Sequence, residues 1–247
     1  MTDTKTKTKD SDIIANLLAN MPSNDSVEVR LPSEGRFYSL PDPSKPITVR
    51  PMTFKDEKAM MSSQSGSDII NTLLSRCVSN VNIGDLLLFD KVFLIMKIRE
   101  LSYGDEYGVT VQCPSCSKEN KVKFFLSQLA VNYAPEELTD PCLVKLRVLD
   151  KDAKVKFPRI KDEEYLSNQE ITSNNLWRFI TEIDGHTKKT IISSVADKLP
   201  LKDAHTIMDV LGGVGLGVNS NVTFSCGFCS HKGEMALPIT PDFFTGN

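Results

Sequence analysis

Four of the chain's six cysteines stand in two CxxC pairs, Cys113 with Cys116 and Cys226 with Cys229. A CxxC at the tip of a tight turn aims both thiolates at one point. Two such turns face to face offer four sulfurs in the tetrahedral array that Zn(II) takes in structural sites. The reading is therefore a structural zinc ion held by Cys113, Cys116, Cys226 and Cys229. Redox-active cysteines and unmetallated buried thiols are the competing readings. A thioredoxin-type CxxC opens a helix after a strand, once per domain; here the motif occurs twice, each time between strand-like runs. His231 lies two residues past Cys229 and could stand in for a cysteine, but the pairs already supply four ligands. Closed four-sulfur sites hold shape and do no chemistry.

Elsewhere the sequence offers little that could react. Three histidines are present, His186, His205 and His231, and none falls in an HExxH pattern or a Ser-His-Asp spacing. The acidic pairs Asp105-Glu106, Glu136-Glu137 and Glu163-Glu164 are chain neighbours, whose side chains point apart, so they read as solvated charges. The run GGVGLGV near residue 212 neither follows a strand nor opens a helix as a phosphate-binding loop requires. It reads as a helix cap or flexible link that permits motion between two halves. No catalytic residues are expected, and the chain is not read as an enzyme.

The elements that must position the thiols follow from alternation. Val109 and Val111 precede the first pair, and Val122 and Phe124 follow it. Val222 and Phe224 precede the second, and Met235, Leu237 and Ile239 follow it. Period-two patterns on both sides of a polar turn predict two β-hairpin knuckles. The cysteine pairs are separated by residues 117–225, so the intervening chain must be a folded insertion.

Ahead of the first knuckle, residues 2–10 have nothing to bury and read as disordered. A short amphipathic helix follows, with Ile13, Ile14, Leu17, Leu18 and Met21 on one face, Ser11 as N-cap and Pro22 as stop. It docks either on its own core or in a partner's groove. Residues 27–51 are β in character around the loop LPSEGRFYSLPDPSKP, whose Phe37 and Tyr38 are candidate partner-binding aromatics beside Ile13 and Leu17 of the helix; folding of both aromatics back onto the small sheet is the alternative. Arg30 and Arg50 fall on the polar phase and read as a solvated face. Thr53 and Asp56 suggest a capping box. The stretch from residue 67 to 81 then puts Ile69, Ile70, Leu73, Leu74 and Cys77 on one helical face. The next segment, 84–101, is apolar nearly all round and predicts the buried helix of the domain. Beyond the first knuckle, residues 141–165 read as a hairpin. Residues 170–183 read as a helix around Trp177, and 188–199 and 201–211 as two more helices. Cys77 and Cys142 read as buried inert thiols.

Length and composition fit this picture. A chain of 247 residues, 40% hydrophobic and 25% charged, suits one large or two small globular domains. A net charge of −3 gives no case for nucleic acid, and CxxC usage suits a reducing compartment. The N-terminus reads as no signal peptide, and the most apolar run is too short and charged to span a bilayer. The fold class expected is α+β: a helical core with small antiparallel sheets and a split, four-cysteine, zinc-ribbon-like element. The expected organisation is an arm (1–22), a β-hairpin plus helical domain (23–102), two ribbon halves (103–126 and 220–247) and an inserted hairpin and helical domain (127–219).

The succession LPSEGRFY, ITVRPMTFKDEKAMM, DKVFLIMKIRELSYGDEYGVTVQCPSC and the late CGFC with LPITPDFF resembles the baseplate hub and hub assembly proteins of T-even-like contractile-tailed bacteriophages. The resemblance runs from about Val27 to Phe244. It implies a structural or assembly role in the tail baseplate hub through contacts with other hub proteins, in the host cytoplasm during assembly or in the virion tail. A homo-oligomer is left open. A zinc-ribbon nucleic-acid-binding module and a thiol oxidoreductase are the alternatives.

Overall fold

The computed structural model describes residues 10–18, 26–62, 66–239 and 241–244. Helix α1 (Asp10–Leu18) comes first. Its continuation through Met21 and Pro22, and the arm before it, lie outside the described residues. Strands β1 (Val27–Glu28) and β2 (Thr48–Val49) then flank the LPSEGRFY loop, and helices α2 (Phe54–Met61) and α3 (Gly66–Cys77) lead to β3 (Val78–Ser79). The three strands form one antiparallel sheet in the order β1-β2-β3. Each is only two residues long, shorter than the alternation in VEVRL and ITVRP suggests. The chain between them spends its hydrogen bonds on turns and side chains instead; the Asp42 N–H, for example, goes to the Asn80 side chain and the Met52 N–H to the Ser102 hydroxyl.

Helix α2 starts as its sequence requires: the Asp56 carboxylate accepts the Thr53 N–H at 2.8 Å. Asp56 is fully buried and also takes both Arg50, at 2.8 Å, and Arg76, at 2.6 Å. Arg50 is thus an ion-pair partner and not part of a solvated face, whereas Arg30 stays largely exposed, pairing with Glu34 and lying over the Tyr133 ring. On α3, Leu73, Leu74 and Cys77 are buried as their spacing predicts.

Helix α4 (Leu88–Tyr103) is the central element. Leu94, Ile95, Met96 and Ile98 join Leu73, Leu74, Val49 and Leu31 in one apolar cluster. Its first turn belongs elsewhere: Phe89, with Leu87 just before the helix, packs against Phe157, Val155 and Ile207 in a second cluster. Each fully buried leucine contributes about 2–3 kcal/mol. The helix ends at Gly104, whose φ of 88° suits glycine.

The first long hairpin, β4 (Glu106–Gln112) with β5 (Glu119–Phe125), follows at once. After β6 (Val131–Asn132) the chain builds the second cluster. Strands β7 (Cys142–Leu146), β8 (Lys151–Val155) and β9 (Ile180–Ile183) form an antiparallel sheet, with α5 (Gln169–Asn175) between the last two and α6 (Lys189–Ala196) and α7 (Leu201–Leu211) after them. The helix expected to reach residue 183 stops at Asn175, continues as a 3-10 turn through Trp177, and becomes β9. Ile180 and Ile183 are both buried, and the edge of β8 offers a hydrogen-bond ladder that outweighs helical periodicity. The buried carboxylate of Asp203 on α7 accepts the N–H groups of Val148 and Leu149, fixing the β7–β8 turn to that helix.

The return path is short. β10 (Gly217–Val218) pairs antiparallel with β6, so the chain that leaves at residue 132 comes back beside its point of departure. The last hairpin is β11 (Asn221–Ser225) with β12 (Lys232–Ala236). The glycine run before β10 combines the expected helix cap with close packing. Gly212 caps α7, but Gly213 and Gly217 have φ of 82° and 90° and lie against Phe89. A Cβ on Gly217 would sit 2.9 Å from the Phe89 Cβ, so the glycines are there for close approach. The molecule is thus α+β, helices with small antiparallel sheets. Among the described residues no helix is long and apolar enough to cross a membrane.

Candidate metal centre

The two hairpin tips repeat one backbone design. In the first, the Cys113 N–H bonds the Lys118 carbonyl at 2.9 Å and the Ser117 N–H bonds the Cys113 carbonyl at 2.8 Å. In the second, the Cys226 N–H bonds the His231 carbonyl at 2.8 Å and the Ser230 N–H bonds the Cys226 carbonyl at 3.0 Å. Ser117 and Ser230, each four residues past the first cysteine of its pair, have φ of 57° and 58°. The left-handed residue turns the chain back into the second strand and leaves both thiols of each knuckle on its inner side.

The knuckles face each other. Cys113 Sγ lies 3.7 Å from Cys229 Sγ, and Cys116 Sγ lies 3.7 Å from Cys226 Sγ. All four sulfurs fall within 4.8 Å of one another. Four sulfurs at about 2.3 Å from a central tetrahedral ion would stand about 3.8 Å apart, and a disulfide would need about 2.05 Å. The cross-knuckle spacing therefore suits an ion between the thiols and not a bond between them. All six cysteines are free, and Cys77 and Cys142 are buried away from the cluster. His231 contributes its carbonyl to the turn and is not in the sulfur group.

The surroundings favour ionised sulfur at one corner. Burial opposes ionisation of Cys226, yet the backbone N–H groups of Phe228 and Cys229, helped by Asn120, bring its thiol down to about 6. The Phe228 N–H points at the sulfur from 3.4 Å. At Cys116 the backbone at Lys118 favours the thiolate, but burial and the thiols of Cys229, Cys226 and Cys113 prevail and push it up to about 11. Four thiols so close cannot all ionise without a compensating positive charge.

Asn120 locks the two knuckles together. Its side chain donates to the Lys118 carbonyl at 3.0 Å and accepts the Gly227 N–H at 2.9 Å, bridging strands more than a hundred residues apart. Sequence reasoning missed it, since an asparagine beside a turn normally signals only the turn. Lys118 Nζ also covers the ring of Phe228 at 4.7 Å. In the second hairpin, Phe224 lies over Gly233, its cross-strand partner, where any Cβ would meet the ring at 2.7 Å.

The remaining candidate residues lie apart from this cluster. Ile13 and Leu17 are exposed on α1 at 46% and 75%. Phe37 packs against Phe157 with ring centroids 6.4 Å apart. Tyr38 donates its hydroxyl to the Asp90 carboxylate and accepts the Leu87 N–H at 3.0 Å. Asp90 also accepts the Ser33 N–H at 2.9 Å. The LPSEGRFY loop is therefore tied to the start of α4, where the two apolar clusters meet. In the sequence Asp90 is visible only as a break in an apolar run.

An α+β scaffold of two apolar clusters, closed by a four-thiol cluster between paired hairpins, defines a structural class of protein. The particular family follows from comparison with known proteins: residues 33–245 match the model of the T4 bacteriophage base plate protein family. The chain belongs to that family. The match begins inside the LPSEGRFY loop, takes in all four clustered cysteines and leaves α1 outside. No curated protein and no solved structure matches the chain.

Proposed function

We propose that this chain is a structural and assembly protein of the hub of a contractile-tail base plate, acting through protein–protein contacts, with one structural zinc ion held by Cys113, Cys116, Cys226 and Cys229. The observation that carries the metal is the 3.7 Å sulfur spacing across two knuckles of identical backbone design. The all-sulfur donor set is what Zn(II) takes in closed structural sites. The ion would supply the positive charge that lets the four thiols ionise together. In this reading the two hairpins are halves of a split zinc ribbon.

The part played in the tail rests on the family, whose base plate proteins are structural, and a non-enzymatic role is the coarse statement it supports. The partners are other proteins of the tail hub, met in the host cytoplasm or in the virion tail. The segment 127–219 reads as an inserted unit, supported by the β6–β10 ladder that brings its ends together. Native mass spectrometry of the purified chain, compared with its denatured mass, tests the metal. One zinc per chain, released only on unfolding, is expected. A metal-free native chain, or a two-dalton deficit for each CxxC, would overturn it in favour of thiol redox chemistry.

A further inference from the structure

We propose that the chain associates with a second copy of itself by seating its α1 in a groove along α6 of the neighbour. The inference does not depend on the metal. Two apolar surfaces are open on the chain at once. One is the stripe on α1 formed by Ile13, Ile14 and Leu17, exposed at 46%, 56% and 75%. The other is an open, mainly apolar cleft of about 590 Å³ lined by Leu149, Ile191, Val195 and Leu199, with the exposed Thr190 and Ser194 beside them. Ile191 is 40% exposed there, and Leu149 37%.

The two match in shape. Residues 190, 191, 194 and 195 recur on one side of α6, with small hydroxyl residues at 190 and 194 beside the larger apolar ones at 191 and 195. That leaves a trough in which the i, i+1, i+4 stripe of a two-turn helix can lie. The cleft is also firmly backed: Ile192 on the opposite side of α6 is buried in the second cluster, and Asp203 fixes the turn that carries Leu149.

They match in charge as well. Among its described residues α1 carries two acids, Asp10 and Asp12, and no base. Asp10 is one turn ahead of Ile14 on the same stripe, so it reaches the end of any trough the stripe enters. Lys198 lies at one end of the cleft. Lys188 and Lys189 at the start of α6 and Lys202 in the first turn of α7 add positive charge, against the exposed acids Asp197 and Asp150, the latter paired with Lys145. Lys5, Lys7 and Lys9 precede the helix in the sequence.

A second copy can satisfy both surfaces in one step. Each chain gives its helix and receives its neighbour's, a reciprocal arrangement that closes as a two-fold dimer. The contact covers a few side chains on each side, so micromolar affinity is expected.

The test uses the full chain, Leu17→Asp with a spoiled helix, and Ile191→Glu with a spoiled groove. Both positions are exposed, so thermal melts should be unchanged and folding is not at issue. Sedimentation equilibrium should show a monomer–dimer equilibrium for the full chain, at least about tenfold weaker in either variant. Mixing the two variants restores one intact helix–groove contact, so native mass spectrometry should show heterodimers in excess of either homodimer. A full chain that stays monomeric to about 100 micromolar would overturn the proposal. So would a Leu17→Asp or Ile191→Glu chain that associates like the parent, or a mixture without heterodimers. If the monomer instead gains hydrogen exchange at Ile191 when Leu17 is replaced, the helix occupies its own groove and the exchange between copies is wrong.

Discussion

Two buried aspartates show how residues of one type carry opposite pH signatures. Burial dominates at Asp90, raising its carboxyl to about 6 against the donors Ser33 and Tyr38. Between about pH 4 and 6 the folded chain then binds a proton that the unfolded chain has released. The stabilisation this gives is fully present below about pH 4 and lost as the pH rises through 6. At Asp56 burial acts the same way, but the bonds from Arg50, Thr53 and Arg76 prevail and hold the carboxyl well below the ordinary range. Its contribution is present above about pH 4 and is lost as the pH falls. Asp56→Asn leaves two arginines without their partner and should cost about 2–3 kcal/mol near neutrality, less than a fully buried pair because both arginines reach solvent. Asp90→Asn should cost about 1–3 kcal/mol, since only one of its two acceptors is kept. Urea denaturation at pH 3.5, 4.5 and 7 checks both. The gap between parent and Asp56→Asn should shrink toward pH 3.5, and the gap to Asp90→Asn should narrow from pH 4.5 to 7. Gaps that do not move with pH would refute the assignment of these two groups.

At the scale of elements, the glycines near Phe89 and Phe224 mark where backbone and ring are in contact. Gly217→Ala places a Cβ against the backbone of Phe89 at a φ of 90°. It should cost about 2–3 kcal/mol through strain and displacement of α4, measured as a lower denaturation midpoint with an unchanged slope. An unaffected midpoint would show that α4 and β10 can separate freely. These contacts also mark the limit of what the sequence discloses. The knuckles are legible because CxxC and its flanking alternation are local signals, and α4 is legible because its apolar run is long. Strand β9 is not, since Trp177, Phe179 and Ile180 fit a helix and only the free edge of β8 decides otherwise. The clamp from Tyr38 and Ser33 to Asp90 spans more than fifty residues and leaves no local trace. Nor does the local sequence say that Gly213 and Gly217 pack against Phe89.

For the molecule as a whole, the proposed zinc would close a very long loop. Cys113 and Cys229 are 116 positions apart, and tying such ends together is worth about 4–5 kcal/mol in the chain-entropy view. Chelation should therefore lower the melting temperature on the order of 10 °C, and Cys113→Ser or Cys229→Ser should lose the metal and melt equally low. Thermal denaturation with and without chelator, with zinc content measured alongside, reads both effects. Normal melting and full zinc content in either serine variant would remove Cys113 or Cys229 from the ligand set. The same geometry constrains the order of events during synthesis. The first knuckle leaves the ribosome with two thiols, and its counterpart follows roughly 5–25 seconds later at ordinary elongation rates. Any chain that stops before Cys226 can present only half of the proposed ligands, so capture of the ion would separate chains that have passed Cys229 from those that have not.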